Sequence, residues 1–250
     1  MHSSSPPLQR RLLAEFLGSA LLAAMVVGSG IAAQQLSPHD VGLELLENAA
    51  ATGTGLYVLI LMLGPVSGAH FNPVVSAVAV GLGRLTSRDA LAYLAAQVAG
   101  CIGGAVAANG MFARAAISIS TDHRAGSPHL FAEVIATAGL ILTIFALVQS
   151  RRTVAAPAAV GAYIAAAYFF TSSTSFANPA ITLGRIFSDS FAGIAPASAP
   201  AFIAAQLIGG GLGLLAVRLL YPTQETQPDE HSSLRLPAER RALADEPSPV

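Results

Sequence analysis

The sequence predicts an all-α membrane protein of six transmembrane helices plus two re-entrant half-helices, arranged as inverted three-span repeats. Three observations carry that expectation. The dipeptide Asn-Pro occurs twice, at Asn72-Pro73 and Asn178-Pro179, each time between long apolar runs. The 250 residues are 53% hydrophobic and 11% charged, against roughly a quarter charged in ordinary globular domains. The two halves also match in order and at nearly equal offsets: Glu15 in AEFLGSALL with Glu133 in AEVIATAGL, Asn72 with Asn178, and Gln97 in LAAQVAG with Gln206 in IAAQLIG, which marks an internal repeat.

Residues 1–9 are polar and are expected to be a disordered tail. Apolar runs then fall at 12–33, 49–66, 90–111, 130–148, 154–170 and 199–220, close to the roughly 20 residues that cross a bilayer's hydrocarbon core. The runs after each Asn-Pro, 74–82 and 180–187, are about half that length and fit half-helices. Proline is tolerated in a first helical turn, so Pro73 and Pro179 mark helix starts, with Asn72 and Asn178 at the N-caps. The membrane-embedded domain is placed at 10–221, its first repeat at about 10–111 and its second at about 130–221. Residues 222–250, rich in Pro, Glu, Ser and Arg, are expected to be disordered.

The 13 lysine-plus-arginine positions are all arginine. With the N-terminus inside, Arg10, Arg11, Arg84, Arg88, Arg151, Arg152, Arg218, Arg235, Arg240 and Arg241 are cytoplasmic, and Arg114, Arg124 and Arg185 face the other side. Both termini are therefore expected in the cytoplasm, in a multi-pass protein of the inner (plasma) membrane. The segment 34–48, with Asp40, Glu44 and Glu47 and no arginine, reads as an outward loop. Arg10-Arg11 followed by an apolar run also resembles a cleavable secretory signal. Glu15 interrupts that run, and its counterpart Glu133 argues for a retained span.

Each half has three crossings, an odd number, so the second half must be inverted, which puts a conduction site at the midplane. There the positive ends of two half-helices would meet, with an asparagine amide donor on each side of whatever passes. The pattern points to a pore. Glu15 and Glu133 are carboxylates in apolar helices and should accept hydrogen bonds from non-helical backbone; they are read as supports for the re-entrant loops rather than as a proton relay. The extended stretches 68–71 and 173–177 would offer backbone carbonyls to a water-filled path. His70, in the first, is read as a fixture of that loop rather than a gate or metal ligand. Cys101 is expected to be a small buried thiol. Gly100, Gly103, Gly104, Gly209, Gly210, Gly211 and Gly213 are expected to let helices approach closely.

With AEFLG in the first span, SGAHFNP before the first half-helix, AAQ in the third span, AE in the fourth, NPA at 178–180 and AAQLIGG in the sixth, the chain resembles the major intrinsic proteins, the aquaporin and aquaglyceroporin channels, over nearly all of 10–221. The resemblance implies pore midplane motifs at Asn72, Pro73, Val74 and at Asn178, Pro179, Ala180. It also implies a homotetramer with one pore per subunit. Family members whose second motif continues Asn-Pro-Ala-Arg carry a filter arginine there; here the residue is Ile181. Counting back as in those members, the other constriction positions fall on Thr52, Ala166 and Ser175. That ring is expected to be wider and less polar than a water-only filter. Arg185, one helical turn beyond Ile181, either reaches back toward the pore mouth or sits at the surface or against Asp189. Val74 stands where alanine is usual and is expected to crowd the half-helix junction slightly. NPAITLGRIFSDSFAGI further resembles a bacterial branch associated with arsenic-resistance genes.

The expected function is a passive channel for water and small neutral solutes: glycerol-like polyols, urea, or an undissociated metalloid acid such as arsenous acid. The alternative is a secondary transporter of a small neutral solute, which normally needs an ion-coupling site that the sequence does not display. No converging nucleophile, base or metal cluster suggests an enzyme, and no cofactor, metal or nucleic-acid partner is expected. The partners are the lipid bilayer, water and the solute.

Overall fold

The computed structural model describes residues 6–222. The tail expected at 222–250 lies outside them beyond Pro222, as do residues 1–5 of the N-terminal tail. Six long apolar helices form: α1 (Leu8–Leu36), α2 (Val41–Ser67), α4 (Ser87–Met111), α5 (Ser127–Gln149), α6 (Ala156–Phe170, entered through a 3₁₀ turn at Thr153–Ala155) and α8 (Ala199–Leu220). Two short ones, α3 (Pro73–Gly81) and α7 (Pro179–Arg185), follow the two Asn-Pro dipeptides. No strand forms among the described residues. The all-α fold class is as expected.

Local chemistry explains the starts. Asp40 Oδ1 accepts from Leu43 N–H (2.9 Å) and Thr86 Oγ1 from Asp89 N–H (3.1 Å), each satisfying one of the donors that a helix N-terminus leaves free. Pro128, Pro157 and Pro200 sit in the first turns of α5, α6 and α8. The cap at Asp40, with Glu44 in the first turn, also corrects the sequence reading of 34–48 as a loop. α2 begins at Val41, and the non-helical connection is only residues 37–40. The acidic cluster belongs to a capped helix start. Similarly, α1 begins at Leu8, directly after Pro7, so Leu8 and Gln9 are helical rather than part of a tail.

Packing repeats between the halves. α1 packs on α4 as α5 packs on α8; α3 lies against α4 and α8, and α7 against α8 and α4; α2 against α6 joins the halves. Glycines set these approaches. A Cβ on Gly100 or Gly104 would lie 2.4 or 2.0 Å from the carbonyl oxygens of Phe16 and Ala20 in α1. On Gly209 it would lie 2.5 Å from Val134 O, and on Gly213 2.9 Å from Ala138 O, both in α5. Gly103 and Gly211 meet nothing within 4 Å, so the close-packing role expected for them is corrected. Gly104, beside Gly103, faces α1 instead, and Gly210, beside Gly211, faces Val74 of α3. Gly53 and Gly161, not singled out in the sequence, meet across the α2–α6 contact, where a Cβ on either would lie under 3 Å from the other's carbonyl. Large apolar side chains such as Leu61, Phe131, Leu207 and Leu219 are left on the outer surface, as in a body whose solvent is lipid.

Candidate functional site

The two half-helices are held end to end by their capping asparagines. Asn72 Oδ1 accepts from Val74 N–H (2.9 Å), while Asn178 Oδ1 accepts from Ala180 N–H (2.9 Å) and Ile181 N–H (3.3 Å). Each amide nitrogen crosses to the other half: Asn72 Nδ2 donates to Ala177 O and Asn178 Nδ2 to Phe71 O, both at 2.7 Å. One amide N–H of each asparagine is thereby used. An Nδ2 carries two hydrogens, and the second of each pair is left on a side chain that lines the central cavity.

The loops before the half-helices bend identically. Ala69 and Phe71 have φ of 49° and 48°; Ser175 and Ala177 have 49° and 46°. Such left-handed, non-glycine backbone costs of order 1–3 kcal/mol per residue and persists only when its surroundings over-determine it. The two buried glutamates supply the constraint. Glu15 accepts from Ser67 Oγ (2.6 Å), His70 N–H (3.0 Å), Phe71 N–H (2.7 Å) and Gln97 Nε2 (2.8 Å). Glu133 accepts from Phe176 N–H (2.9 Å), Ala177 N–H (2.9 Å) and Gln206 Nε2 (2.6 Å). With the N–H groups turned to the carboxylates, the carbonyls of Gly68, Ala69 and His70 accept no hydrogen bond from a described residue. All three residues border the cavity.

Gln97 and Gln206, matched between the halves in the sequence, are each a glutamate's amide partner in the fold. Ser76 and Thr182, each four residues after its asparagine, complete the pair. Ser76 Oγ accepts from Gln97 Nε2 (3.2 Å) and Thr182 Oγ1 from Gln206 Nε2 (2.9 Å). The signal was present, since both positions hold a hydroxyl residue at the same offset. His70 Nδ1 shares a hydrogen bond with Ser76 Oγ (3.0 Å), and its ring stands edge-on to Tyr93 at 5.5 Å.

A cavity of about 780 Å³ runs between the halves, lined at one end by Arg11 and Arg84, then by Asn72 and Asn178, and by Ile181 and Arg185 at the end where α7 finishes. Thr52, Ser175 and Ile181 all border it. The Ser175 hydroxyl is buried without a partner among the described residues. Ala166 does not border it, and that assignment is corrected: the residue is exposed on the outside of α6. Ile164 and Tyr168 line the cavity from α6, and at 3.6 residues per turn Ala166 lies about 200° from either. Tyr168 shares a hydrogen bond between its hydroxyl and that of Thr52 (3.2 Å), so the wall at this level carries an aromatic ring and is not made of small residues alone. Asp189 accepts from Thr121 N–H (3.0 Å) and Thr121 Oγ1 (3.2 Å), not from Arg185.

Val74 and Gly210 fit each other: a Cβ on Gly210 would lie 2.4 Å from Val74 Cγ1. The larger residue in the first motif is accommodated by a missing side chain on α8, so the expected crowding is relieved.

The model of the family described as Major intrinsic protein matches residues 2–177. The aquaglyceroporin AqpS of Rhizobium meliloti (strain 1021) is 48% identical over 227 residues, covering 89% of this chain and 97% of that protein. The lens fiber major intrinsic protein of Gallus gallus is 33% identical over 147 residues, 57% of this chain and 54% of its own length. The solved aquaglyceroporin from Plasmodium falciparum superposes with a TM-score of 0.65 at 22% identity, over 86% of this chain and 96% of that one, a likeness of fold. Six membrane-crossing helices, two capped half-helices tied across a central cavity and these matches agree: the chain belongs to the major intrinsic protein family of membrane channels.

Proposed function

We propose that this protein is a passive channel for water and small neutral solutes of about glycerol's size, polyols or undissociated metalloid acids such as arsenous acid. The cross-tied asparagines carry the reading. Asn72 and Asn178 each spend their carbonyl oxygen on a half-helix and one N–H on the opposite loop, leaving one donor each beside a file of unbonded carbonyls. A neutral solute that both donates and accepts can pass such a wall by exchanging bonds with it; an ion would have to shed its hydration shell against it. Ile181 in place of a cation at the start of α7 favours a solute larger than water, as does the 48% identity to an aquaglyceroporin.

The distribution of arginines supports a plasma-membrane setting with both termini cytoplasmic, and the apolar surface of the six long helices fits a homotetramer within the bilayer. Stopped-flow light scattering on proteoliposomes tests the function. Glycerol and arsenous acid flux is expected to rise linearly with the solute gradient and to ignore imposed sodium and proton gradients. Saturable flux that follows an ion gradient would instead mark a secondary transporter.

A further inference from the structure

Among the described residues Arg185 is the one buried arginine, at 2% exposure, and it borders the cavity. Its side chain runs back along α7 toward the helix start, as helical side chains do, and lays the guanidinium on the Phe176 ring with Cζ 3.3 Å from the centroid. The Nε–H donates to Ala192 O. A guanidinium has five N–H donors, and the four on the two terminal nitrogens donate to no described residue. No carboxylate among the described residues pairs with it. The ion pairs among the described residues are Arg11 with Asp89 and Arg124 with Asp122. The Glu133 oxygens are occupied by Phe176 N–H, Ala177 N–H and Gln206, and lie beyond salt-bridge reach.

A buried charge is held only where its desolvation is offset, and one protein hydrogen bond does not do that. The open donors must therefore meet oxygens within the cavity, from water or from whatever passes. Phe176 is itself fixed: its N–H is bound to Glu133 and its ring packs edge-on against Phe202 at 5.2 Å. The nearby Arg124 is spent on Gly193 O, Phe191 O and Asp122. Among the described residues, Arg185 alone offers an uncompensated cation there.

We propose that the Arg185 guanidinium, seated on Phe176, is the selectivity residue of this conduit, its fixed positive charge and its hydrogen-bond donor to neutral solutes. This rests on the channel reading above. The positive charge that Ile181 does not supply at the start of α7 is present one turn further along the helix.

The test uses full-length protein in proteoliposomes and compares Arg185→Gln and Arg185→Lys with wild type, measuring potassium leak, glycerol permeability and water permeability in the same vesicles. Arg185→Gln is expected to raise potassium leak at least tenfold relative to water permeability. Arg185→Lys keeps the charge but loses the flat stack and two donors; it is expected to hold potassium out while shifting the glycerol-to-water ratio at least threefold. Wild-type leak and ratio in folded Arg185→Gln would overturn the assignment. If that variant does not fold, an unchanged ratio in Arg185→Lys overturns the donor role. Wild-type vesicles separate the two readings: no neutral flux there fails the channel itself, whereas normal wild-type flux beside unchanged variants fails only Arg185.

Discussion

Glu133 shows how a buried charge is made affordable in this fold. Its two oxygens take three donors, two of them backbone N–H groups of a loop that no helix or strand could otherwise satisfy. An orphaned buried donor costs about 1–3 kcal/mol, so Glu133→Ala, which strands all three, is expected to lower the unfolding midpoint in detergent sharply. Glu133→Gln keeps one acceptor oxygen and should fall between. A fluorescence-monitored melt of the three proteins checks that order, and equal midpoints for Gln and Ala variants would count against it. Glu15, with four donors, should behave the same way. That carboxylates support the re-entrant loops was legible from their matched positions. Their amide partners were not, because a glutamine in an apolar helix signals burial without naming what it touches. Ala166 failed for a related reason: counting along a sequence carries no phase, and two residues of error on α6 turn a side chain from the cavity to the outside.

Between helices, the fit is set by paired sizes that a single sequence does not reveal. Val74 was visible as a bulky residue at a junction, but its complement, Gly210, lies 136 positions away on α8. Gly210→Ala is expected to overpack the site by about 1–3 kcal/mol, and Val74→Ala in the same chain should restore most of the loss. A double-mutant cycle on thermal midpoints reads the coupling directly, and strictly additive losses would show that the two do not meet. The six spans and both half-helices were legible from apolar length and the two Asn-Pro dipeptides. The start of α2 was not, since an aspartate before two glutamates describes a polar loop and a capped first turn equally well.

Conduction depends on the bore as a unit, which Ile181 and Arg185 share at one end. Placing a second cation one turn from the first, by Ile181→Arg, should narrow the conduit and add a like charge four residues away. The expected outcome is a glycerol-to-water permeability ratio at least threefold lower than wild type in matched vesicles; an unmoved ratio in folded protein would take Ile181 off the constriction. The asparagine ties also bear on how the chain is made. Each glutamate latches a loop of its own half, so the first loop can set as soon as α4 is complete. Its tie to the second half must wait for Asn178, 107 residues after Phe71, an interval of about 5–20 s at ordinary rates of synthesis. The ties therefore order assembly: the first half can latch its own loop, and the path is complete only once Asn178 and the second loop are in place. A chain cut short before Asn178 would be unable to leak, because the walls of the path do not yet exist.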